Sequence, residues 1–429
     1  MPRRLILAAL VALPWVATVS GGVPPAAPHP VHGFDPARLE GLARVMQGSV
    51  DRKELPGLVL LVARDGKEVL FRALGTQDVE GRRPMRPDTI FRIASMTKIV
   101  TSVATLMLME EGRLRLDDPL SKFCPEFKEV QVAVPGKAGE APSLKKPSRQ
   151  VTVHDLLTHR AGLSYGFNGD GPVQQAYRKL GVSDGLDDPG ITLAENVARL
   201  AKAPLVHDPG TAFHYGLASD VLGRVVEVAS GRPLDAFLEE RIFRPLGMVD
   251  TGFSVPPEKG SRFAAVATAA EGGGIRPLRD PERFGFLDLS PEAGYRSGKR
   301  YLSGGAGLVS TATDFSRFLQ LLLNGGILGR TRLLAPKTVQ LMTASATHDL
   351  PPISPGREFG LGVSVLVDLG ASRQLGTPGM WGWSGAYGTT FWVDPKERLV
   401  AVLMTQRNPW GGLNWRGDFQ TQVYQALVR

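Results

Sequence analysis

The sequence predicts an α/β protein of the α+β type, in which strands from both ends of the chain form one antiparallel sheet that carries helices. Two strand-like runs near the N-terminus are joined by Asp65-Gly66, a dipeptide typical of hairpin turns. Three more strand-like runs follow residue 358, and capped helical segments fill the region between. Pairing the terminal strands buries them most simply, and it leaves a mostly helical lobe inserted in the middle.

Each predicted element has a local signal. Residues 35–50 have the apolar spacing of an amphipathic helix, and Thr152 followed by Asp155 has the spacing of a helix cap. Gly231 is expected to end the helix before it. The predicted strands are 58–64, 67–72, 359–368, 389–393 and 398–405; the other helices follow Ser95 and cover 152–159, 219–229, 233–242 and 311–324; 127–150 and 255–300 are predicted loops.

Residues 1–22 have the features of a secretion signal, because Arg3 and Arg4 precede a mostly apolar run that ends in small residues. We expect cleavage and a periplasmic or secreted protein; retention as a membrane anchor is the alternative, although the run is short and contains Pro14. No cysteine lies nearby for a lipoprotein anchor. The predicted division is a signal peptide over 1–22, a flexible leader over 23–33, and one catalytic domain over 34–429, with a sheet lobe at about 34–125 plus 302–429 and a helical and loop lobe at about 126–301.

Composition narrows the possible partners. The formal net charge is +8, but the basic residues are interleaved with acids, so we predict no nucleic-acid partner. Cys124 is the single cysteine, which excludes an internal disulfide. The seven histidines have no metal-ligand spacing, and no metal or cofactor is predicted. After the signal, no apolar run has the length of a membrane span, and the sequence does not indicate the oligomeric state.

Ser95-Met96-Thr97-Lys98 is the first candidate for chemistry. Serine and lysine three residues apart lie on one face of a helix, so the lysine amine can take a proton from the serine hydroxyl. If Ser95 begins the helix, the free N–H groups there favour a developing oxyanion. A capping serine beside a surface lysine is the alternative interpretation of this short motif.

Two later segments supply what such a nucleophile needs. Tyr215 lies in a turn before a helix, where its phenol can face the nucleophile and act as a general base and then as an acid. The segment 381–388 combines Trp383 and Tyr387 with small residues that let a backbone N–H approach a substrate carbonyl. Both aromatic residues are predicted to line the pocket.

In this order, the three motifs resemble those of the serine β-lactamase and penicillin-binding protein superfamily, most closely the class C branch and its family VIII carboxylesterase relatives. Segments 91–98, 156–163, 209–211, 245–248 and 303–308 add to the resemblance. The resemblance implies a β-lactamase/transpeptidase-like fold. It also implies an acylated Ser95 with Lys98 and Tyr215 as proton-transfer partners, a substrate-binding third motif at Trp383-Ser384-Gly385, and an oxyanion hole formed by the N–H groups of Ser95 and Ala386.

Two departures from the class C pattern favour esters. Leu217 stands where an asparagine amide would hold the substrate, and Trp383 stands where a lysine would attract the carboxylate of a lactam. We therefore predict an exported serine hydrolase that cleaves small carboxylic esters or transfers their acyl groups. The alternatives are a β-lactamase or D-alanyl-D-alanine carboxypeptidase with the same residues, and an inactive penicillin-binding-like envelope protein.

Competing assignments use other residues. Gly162-Leu163-Ser164-Tyr165-Gly166 matches the G-x-S-x-G elbow of α/β-hydrolases, but a helix precedes it where that elbow requires a strand. Tyr165 is the second candidate for the phenol role and is predicted to line the pocket. A Ser–His–Asp triad stays open; His159 and His214 flank the motifs, where structural hydrogen bonding is the expected role.

Overall fold

The computed structural model describes residues 31–134, 136, 143–187, 189–292, 294–296, 300–409 and 412–428. The predicted signal peptide and leader residues 23–30 lie outside the described residues. Val31 and Phe34 exchange backbone hydrogen bonds of 2.8 and 3.0 Å, and the Val428 N–H donates to the Gly33 carbonyl at 2.9 Å. Residues 31–33 of the predicted leader thus lie against the C-terminal segment, and the flexibility of the leader stays a prediction.

Seventeen strands are described, most of them in small hairpins around one large sheet. The strands are β1 (Gly57–Arg64), β2 (Lys67–Gly75), β3 (Phe91–Arg92), β4 (Val132–Val134), β5 (Ser143–Lys145), β6 (Ala267–Ala269), β7 (Ile275–Pro277), β8 (Glu282–Phe284), β9 (Leu287–Leu289), β10 (Val309–Ser310), β11 (Ile327–Leu328), β12 (Thr331–Arg332), β13 (Arg357–Phe359), β14 (Ser364–Leu366), β15 (Trp381–Ser384), β16 (Thr390–Asp394) and β17 (Leu399–Thr405).

Twelve α-helices are described, and several shorter 3₁₀ turns and one π turn join them. The helices are α1 (Pro36–Asp51), α2 (Thr97–Glu110), α3 (Val153–Leu157), α4 (Pro172–Leu180), α5 (Leu193–Leu200), α6 (Ala218–Ser230), α7 (Leu234–Leu238), α8 (Arg244–Leu246), α9 (Ala312–Leu323), α10 (Pro336–Thr343), α11 (Leu369–Ser372) and α12 (Trp415–Gln425).

The large sheet has seven antiparallel strands in the order β13-β14-β15-β16-β17-β1-β2. Strand β1 pairs with both β2 and β17, with Leu60 opposite Leu403, so strands from the two ends of the chain are neighbours in the sheet. Asp65 and Gly66 both have positive φ, as a two-residue turn of the hairpin type requires. The predicted pairing of terminal strands is confirmed.

Helices cover both faces of this sheet, which explains why β1 is buried along almost its whole length. Because side chains alternate along a strand, one set packs against α1 and α12 and the other packs towards α2 and α9. On the first face are Leu58, Leu60 and Val62; on the second are Val59, Leu61 and Ala63.

Helix α2 runs through the middle of the molecule. All residues from Thr97 to Leu108 are buried, which is the pattern of a helix surrounded on every side rather than of an amphipathic surface helix. It packs on α6 and follows a 3₁₀ turn at Ala94–Met96. This packing fixes the position of Ser95 and Lys98 at its N-terminal end.

Several predicted loops contain regular structure. Segment 127–150 contains the β4–β5 hairpin, and segment 255–300 contains the β6–β7 and β8–β9 hairpins. The predicted strand 359–368 is broken, because Gly362 has a φ of +94° and separates β13 from β14. Helices α4, α5, α10 and α12 were not predicted.

Two further observations concern the described residues. None of their helices combines the length and the apolar character that a membrane crossing needs. Cys124 is buried, and burial raises the pKa of its thiol to about 12.

Candidate active site

Ser95 lies in the 3₁₀ turn that leads into α2 and is half-buried. The residue before it, Ala94, has a φ of +42°, a left-handed conformation that is strained for a side chain with a Cβ. Contacts on both sides hold this turn, since the Ile93 N–H donates to the Leu308 carbonyl and the Met96 N–H donates to the Ile93 carbonyl. These contacts fix the strained turn, and Ser95 lines the cavity described below.

Lys98 is 1% exposed and has three polar neighbours. Its Nζ lies 3.2 Å from Ser95 Oγ, 2.9 Å from the Tyr165 hydroxyl and 2.8 Å from the Gly305 carbonyl oxygen. A neutral amine has two N–H donors and one lone pair, so it can donate to the carbonyl and to one hydroxyl while it accepts from the other. The arrangement therefore suits transfer of the Ser95 proton to Lys98.

Two tyrosines flank Lys98 at different depths. Tyr165 is 3% exposed, and burial raises its pKa well above the ordinary value. Tyr215 is half-buried; its ring centroid lies 4.9 Å from Lys98 Nζ, and its hydroxyl accepts a hydrogen bond from Trp383 Nε1 at 3.2 Å. Among the described contacts, the tyrosine hydroxyl that is hydrogen-bonded to Lys98 is thus that of Tyr165, the second candidate for the phenol role. Tyr215 approaches Lys98 through its ring.

The third motif forms strand β15 and the turn after it. A Cβ on Gly385 would lie 2.4 Å from the Ile93 carbonyl oxygen and 2.3 Å from Thr389 Oγ1, so only glycine allows this turn to approach the Ser95 turn. Asn408 Nδ2 donates to the Ala386 carbonyl at 2.8 Å. Within the described residues, neither the Ser95 nor the Ala386 backbone N–H donates to another protein group. Both donors are available for an oxyanion.

The Ser95 cavity has a volume of about 700 Å³. Seven of the predicted site residues line it: Ser95, Tyr165, Tyr215, Trp383, Ser384, Gly385 and Ala386. It also has walls that sequence reasoning missed, because they come from loops far from the motifs. These residues are Phe167, Asp184, Leu186, Phe284, Leu287, Ala306, Asn408, Pro409, Gly412 and Arg416.

Two predicted substrate-binding residues do not line this cavity. Leu217 is 0% exposed and its side chain belongs to the main hydrophobic core, because it precedes α6 on the buried side. Tyr387 is also 0% exposed and packs in a small cluster with Ala94 and Val266. The placement of Leu217 and Tyr387 at the substrate is therefore corrected: both support the turns around the site from behind.

Two carboxyl groups lie close to the motifs. Asp184 lines the Ser95 cavity and accepts a hydrogen bond from the Gly166 N–H at 2.7 Å, and burial raises its pKa to about 7. Asp220 is fully buried, which raises its pKa, and it accepts hydrogen bonds from Tyr301 at 2.9 Å and Ser303 at 2.6 Å. Asp220 thereby fixes the segment that carries the Gly305 carbonyl bonded to Lys98.

Ser164 has the surroundings of a structural residue. It is fully buried between α3 and α4, with no strand before it, and its Oγ contacts His214 Nε2 at 2.9 Å and Gln174 Nε2 at 2.9 Å. The elbow interpretation of residues 162–166 is therefore wrong, because the strand–turn–helix geometry that exposes such a serine is missing. His159 is also buried, with a pKa lowered well below the ordinary value by desolvation, and it packs on the Tyr215 ring.

Comparisons with known proteins agree over most of the chain. A family model described as Beta-lactamase matches residues 42–421. Esterase EstB of Burkholderia gladioli is 38% identical over 380 residues, which cover 86% of this chain and 90% of EstB. A putative D-alanyl-D-alanine carboxypeptidase of Escherichia coli (strain K12) is 30% identical over 399 residues, which cover 87% of this chain and 83% of that relative. The solved structure of EstCE1, a hydrolase with promiscuous acyltransferase activity, matches with a TM-score of 0.79 at 30% identity and covers 91% of this chain and 99% of its own.

Proposed function

The chain belongs to the β-lactamase family of serine hydrolases, and from this premise we propose that it cleaves small carboxylic esters, or transfers their acyl groups, through an acyl-enzyme on Ser95. One observation carries the proposal: the buried Lys98 amine lies 3.2 Å from Ser95 Oγ, beside a cavity that two backbone N–H groups can face. This combination supplies a base, a nucleophile and oxyanion donors at one place.

The proposed reaction has two halves. Ser95 Oγ attacks the ester carbonyl carbon while its proton passes to Lys98, and the N–H groups of Ser95 and Ala386 stabilise the oxyanion. The bond to the alcohol oxygen then breaks, and that oxygen receives a proton through the Tyr215 hydroxyl. Water, or a second alcohol in acyl transfer, then attacks the acyl carbon and gives up a proton to the same pair of groups. The bond to Ser95 Oγ breaks, that oxygen takes the proton back, and the carboxylic acid or the new ester leaves.

We assign the proton-transfer role to Tyr215 and a positioning role to Tyr165. Both tyrosines line the Ser95 cavity, but Tyr215 is half-buried, whereas Tyr165 is 3% exposed and its hydroxyl accepts a hydrogen bond from Lys98. A raised pKa makes Tyr165 a poor phenolate. Catalytic hydrogen bonds are often formed only with substrate bound, so the present Tyr215–Trp383 bond is compatible with this role.

Ester hydrolysis is favoured over lactam hydrolysis by Trp383, which offers the substrate an indole where a lysine would offer a charge. The esterase relatives EstB and EstCE1 support the same choice. A β-lactamase or D-alanyl-D-alanine carboxypeptidase is the second candidate, favoured by Arg416 in the cavity wall and by the Escherichia coli relative. Parallel turnover of nitrocefin and 4-nitrophenyl butyrate distinguishes them, since efficient nitrocefin cleavage with inert esters would reverse the ranking.

The central experiment compares two serines. Ser95→Ala is expected to lower 4-nitrophenyl butyrate hydrolysis by several orders of magnitude, because it removes the nucleophile of a cooperative unit. Ser164→Ala should keep most of the activity and serves as the matched control. The opposite result would overturn the assignment, and failure of a fluorophosphonate probe to label Ser95 would support an inactive, binding-only protein.

We also propose that the protein is exported, on the features of residues 1–22. Expression of the full chain in a Gram-negative host tests this, with mass spectrometry of the periplasmic and medium fractions. A mature N-terminus shortly after residue 22 is the expected result, and a full-length cytoplasmic product would contradict it.

A further inference from the structure

A second cavity shares a wall with the Ser95 cavity. Its volume is about 500 Å³, and Tyr215, Trp383, Ser384 and Arg416 line both cavities. The hydrogen bond from Trp383 Nε1 to the Tyr215 hydroxyl lies in this shared wall. We call the second space the Arg357 cavity, after its most unusual residue; a substrate that is bound at Ser95 lies next to it.

The Arg357 cavity is positively charged. Two arginines, Arg357 and Arg416, line it, and no aspartate or glutamate is among its described lining residues. Its other polar side chains are neutral hydroxyls and amides: Ser354, Ser364, Ser384, Thr390, Gln374 and Gln420. A concave space of this size with a few converging donors is the usual form of a small-molecule subsite.

Arg357 lacks the carboxylate partner that several other half-buried arginines of this protein have. Its Nη2 donates to Gln374 Oε1 at 3.3 Å, and no ion pair joins it to an acid within the described residues. By contrast, Arg262 and Arg160 each bind a carboxylate with two nitrogens, from Asp250 and Asp349 respectively.

The absence of a carboxylate partner makes the buried charge of Arg357 costly. Burial lowers the pKa of Arg357, which shows that its charge is partly desolvated without a compensating acid. A bound anion would offset that cost, and the planar guanidinium suits the two oxygens of a carboxylate. Arg416 is engaged differently, since it donates to the Gly385 carbonyl at 2.7 Å and supports the turn beside Ser95.

We propose that the Arg357 cavity is a subsite for a carboxylate carried by the ester substrate, with Arg357 as its principal ligand. The inference rests on the proposed function of the Ser95 site. The substrate class is then an ester with a free acid group some atoms from the scissile bond, on either the acyl or the alcohol portion.

Matched ester pairs test the subsite. The acyl arm compares mono-4-nitrophenyl glutarate, adipate and pimelate with the neutral valerate, hexanoate and heptanoate, and the alcohol arm compares 3-carboxy-4-nitrophenyl butyrate with 4-nitrophenyl butyrate. In at least one pair, the wild-type ratio of kcat/KM, charged over neutral, should fall about ten- to a hundredfold in Arg357→Gln. The arm that responds identifies the portion that carries the acid.

Two variants control this experiment. Arg330→Gln removes an exposed arginine that lines neither cavity and should keep the wild-type ratio. Arg357→Lys keeps the charge without the planar fork and should restore part of the ratio; it also serves if Arg357→Gln does not fold. A ratio in Arg357→Gln equal to that of the wild type in both arms would overturn the subsite.

A binding measurement separates the two proposals. Calorimetry on Ser95→Ala, which needs no catalysis, should detect adipate but not the neutral adipamide, and adding Arg357→Gln should abolish the signal. Ester turnover without any adipate binding would leave the proposed function intact and overturn the subsite. Arg357-dependent adipate binding without ester turnover would support the subsite and defeat ester hydrolysis.

Discussion

Lys98 lies between hydroxyls of different exposure, and this difference separates their proposed roles. Tyr165 is 3% exposed and lines only the Ser95 cavity, whereas Tyr215 is half-buried and lines both cavities. A proton on its way to a leaving group has to reach the cavity, so the exposed phenol is the better relay. The enclosed phenol can fix only the position and the hydrogen bonding of the amine.

The first prediction separates these roles by removing one oxygen at a time. Tyr215→Phe should lower kcat for 4-nitrophenyl butyrate by about a hundredfold or more, since it removes a proton-transfer group. Tyr165→Phe should cost about tenfold, the range of one lost hydrogen bond to Lys98. Steady-state kinetics of both variants provide the test, and a larger loss for Tyr165→Phe would exchange the assigned roles.

The second prediction concerns Asp184. Its folded-state pKa of about 7 lies above the ordinary 3.8, so the folded protein binds this proton more tightly than the unfolded chain does. Stability therefore falls as the pH rises from about 4 to about 7. Asp184→Asn, which stays neutral, should raise the Tm relative to wild type by roughly 2–4 °C more at pH 8 than at pH 5.

Thermal unfolding at the two pH values tests the Asp184 prediction. Asp235→Asn at an exposed helix start is the control and should show no such pH-dependent difference. Equal effects of Asp184→Asn at pH 5 and pH 8 would show that the Asp184 carboxyl does not titrate in this range.

Among single residues, the sequence predicted best those that contact each other because they are close together along the chain. Ser95 and Lys98 are three residues apart on one helix, so their contact follows from helical geometry alone. Asp184, Arg357 and Arg416 line the cavities but come from separate loops and elements. No local sequence pattern indicates that these residues lie near the site. Leu217 was misplaced because its position in the motif does not reveal that its side chain points into the core.

Among the elements, several helices were predicted from their caps, although α5 was missed despite its cap. Thr152 and Asp155 form a reciprocal capping box at the start of α3, and Thr192 and Glu195 form another at α5. The two boxes differ in burial, since the Asp155 side chain is 2% exposed and paired with Arg149, whereas the Thr192 box is exposed. The same capping box should thus contribute differently to the free energy of unfolding at the two helices.

The third prediction uses this matched pair. Thr192→Ala should lower the free energy of unfolding by about 1 kcal/mol, the ordinary value of an N-cap. Thr152→Ala should cost more, about 2 kcal/mol, because it also removes a hydrogen bond to a buried carboxylate. Urea denaturation measures both, and an equal or smaller loss at Thr152 would contradict the argument from burial.

Apart from α5, the helices and hairpins that were missed had weaker local signals. Helices α4 and α10 begin at Pro172 and Pro336 without a capping side chain. The short hairpins between 267 and 289 lie in a segment rich in glycine, proline and charge, which is typical of loops. Their strands form through contacts with the rest of the fold, which the segment itself does not encode.

The whole molecule is organised by one sheet with helices on both faces. In this sheet β1 from the N-terminal part pairs with β17 from the C-terminal part, as the strand-like runs at both ends of the chain predicted. The predicted division into a sheet lobe and a helical lobe stays a prediction. Helix α12, which packs with α1 on the first face of the sheet, was not predicted, because its apolar pattern is weak and its packing depends on Trp415, Phe419 and Val423.

The fourth prediction tests how much the stability of the fold depends on the packing of α12 against the sheet. Trp415 is buried and its Nε1 donates to the Gly388 carbonyl at 3.3 Å. Trp415→Ala should lower the free energy of unfolding by about 3–5 kcal/mol through the cavity that it leaves. Trp415→Phe keeps most of the volume and should cost less than half as much; equal losses would mean that the hydrogen bond dominates.

Because Cys124 is buried, a cysteine introduced at the surface could be labelled selectively for spectroscopy. Thiol reagents attack the thiolate, and a buried group with a pKa near 12 should remain unlabelled at neutral pH. A cysteine introduced at Phe286, which is 42% exposed beside the cavity-lining Phe284 and Leu287, could then carry a fluorophore in the otherwise native chain. Its emission would follow, in real time, how the hairpin responds when ligands enter and leave.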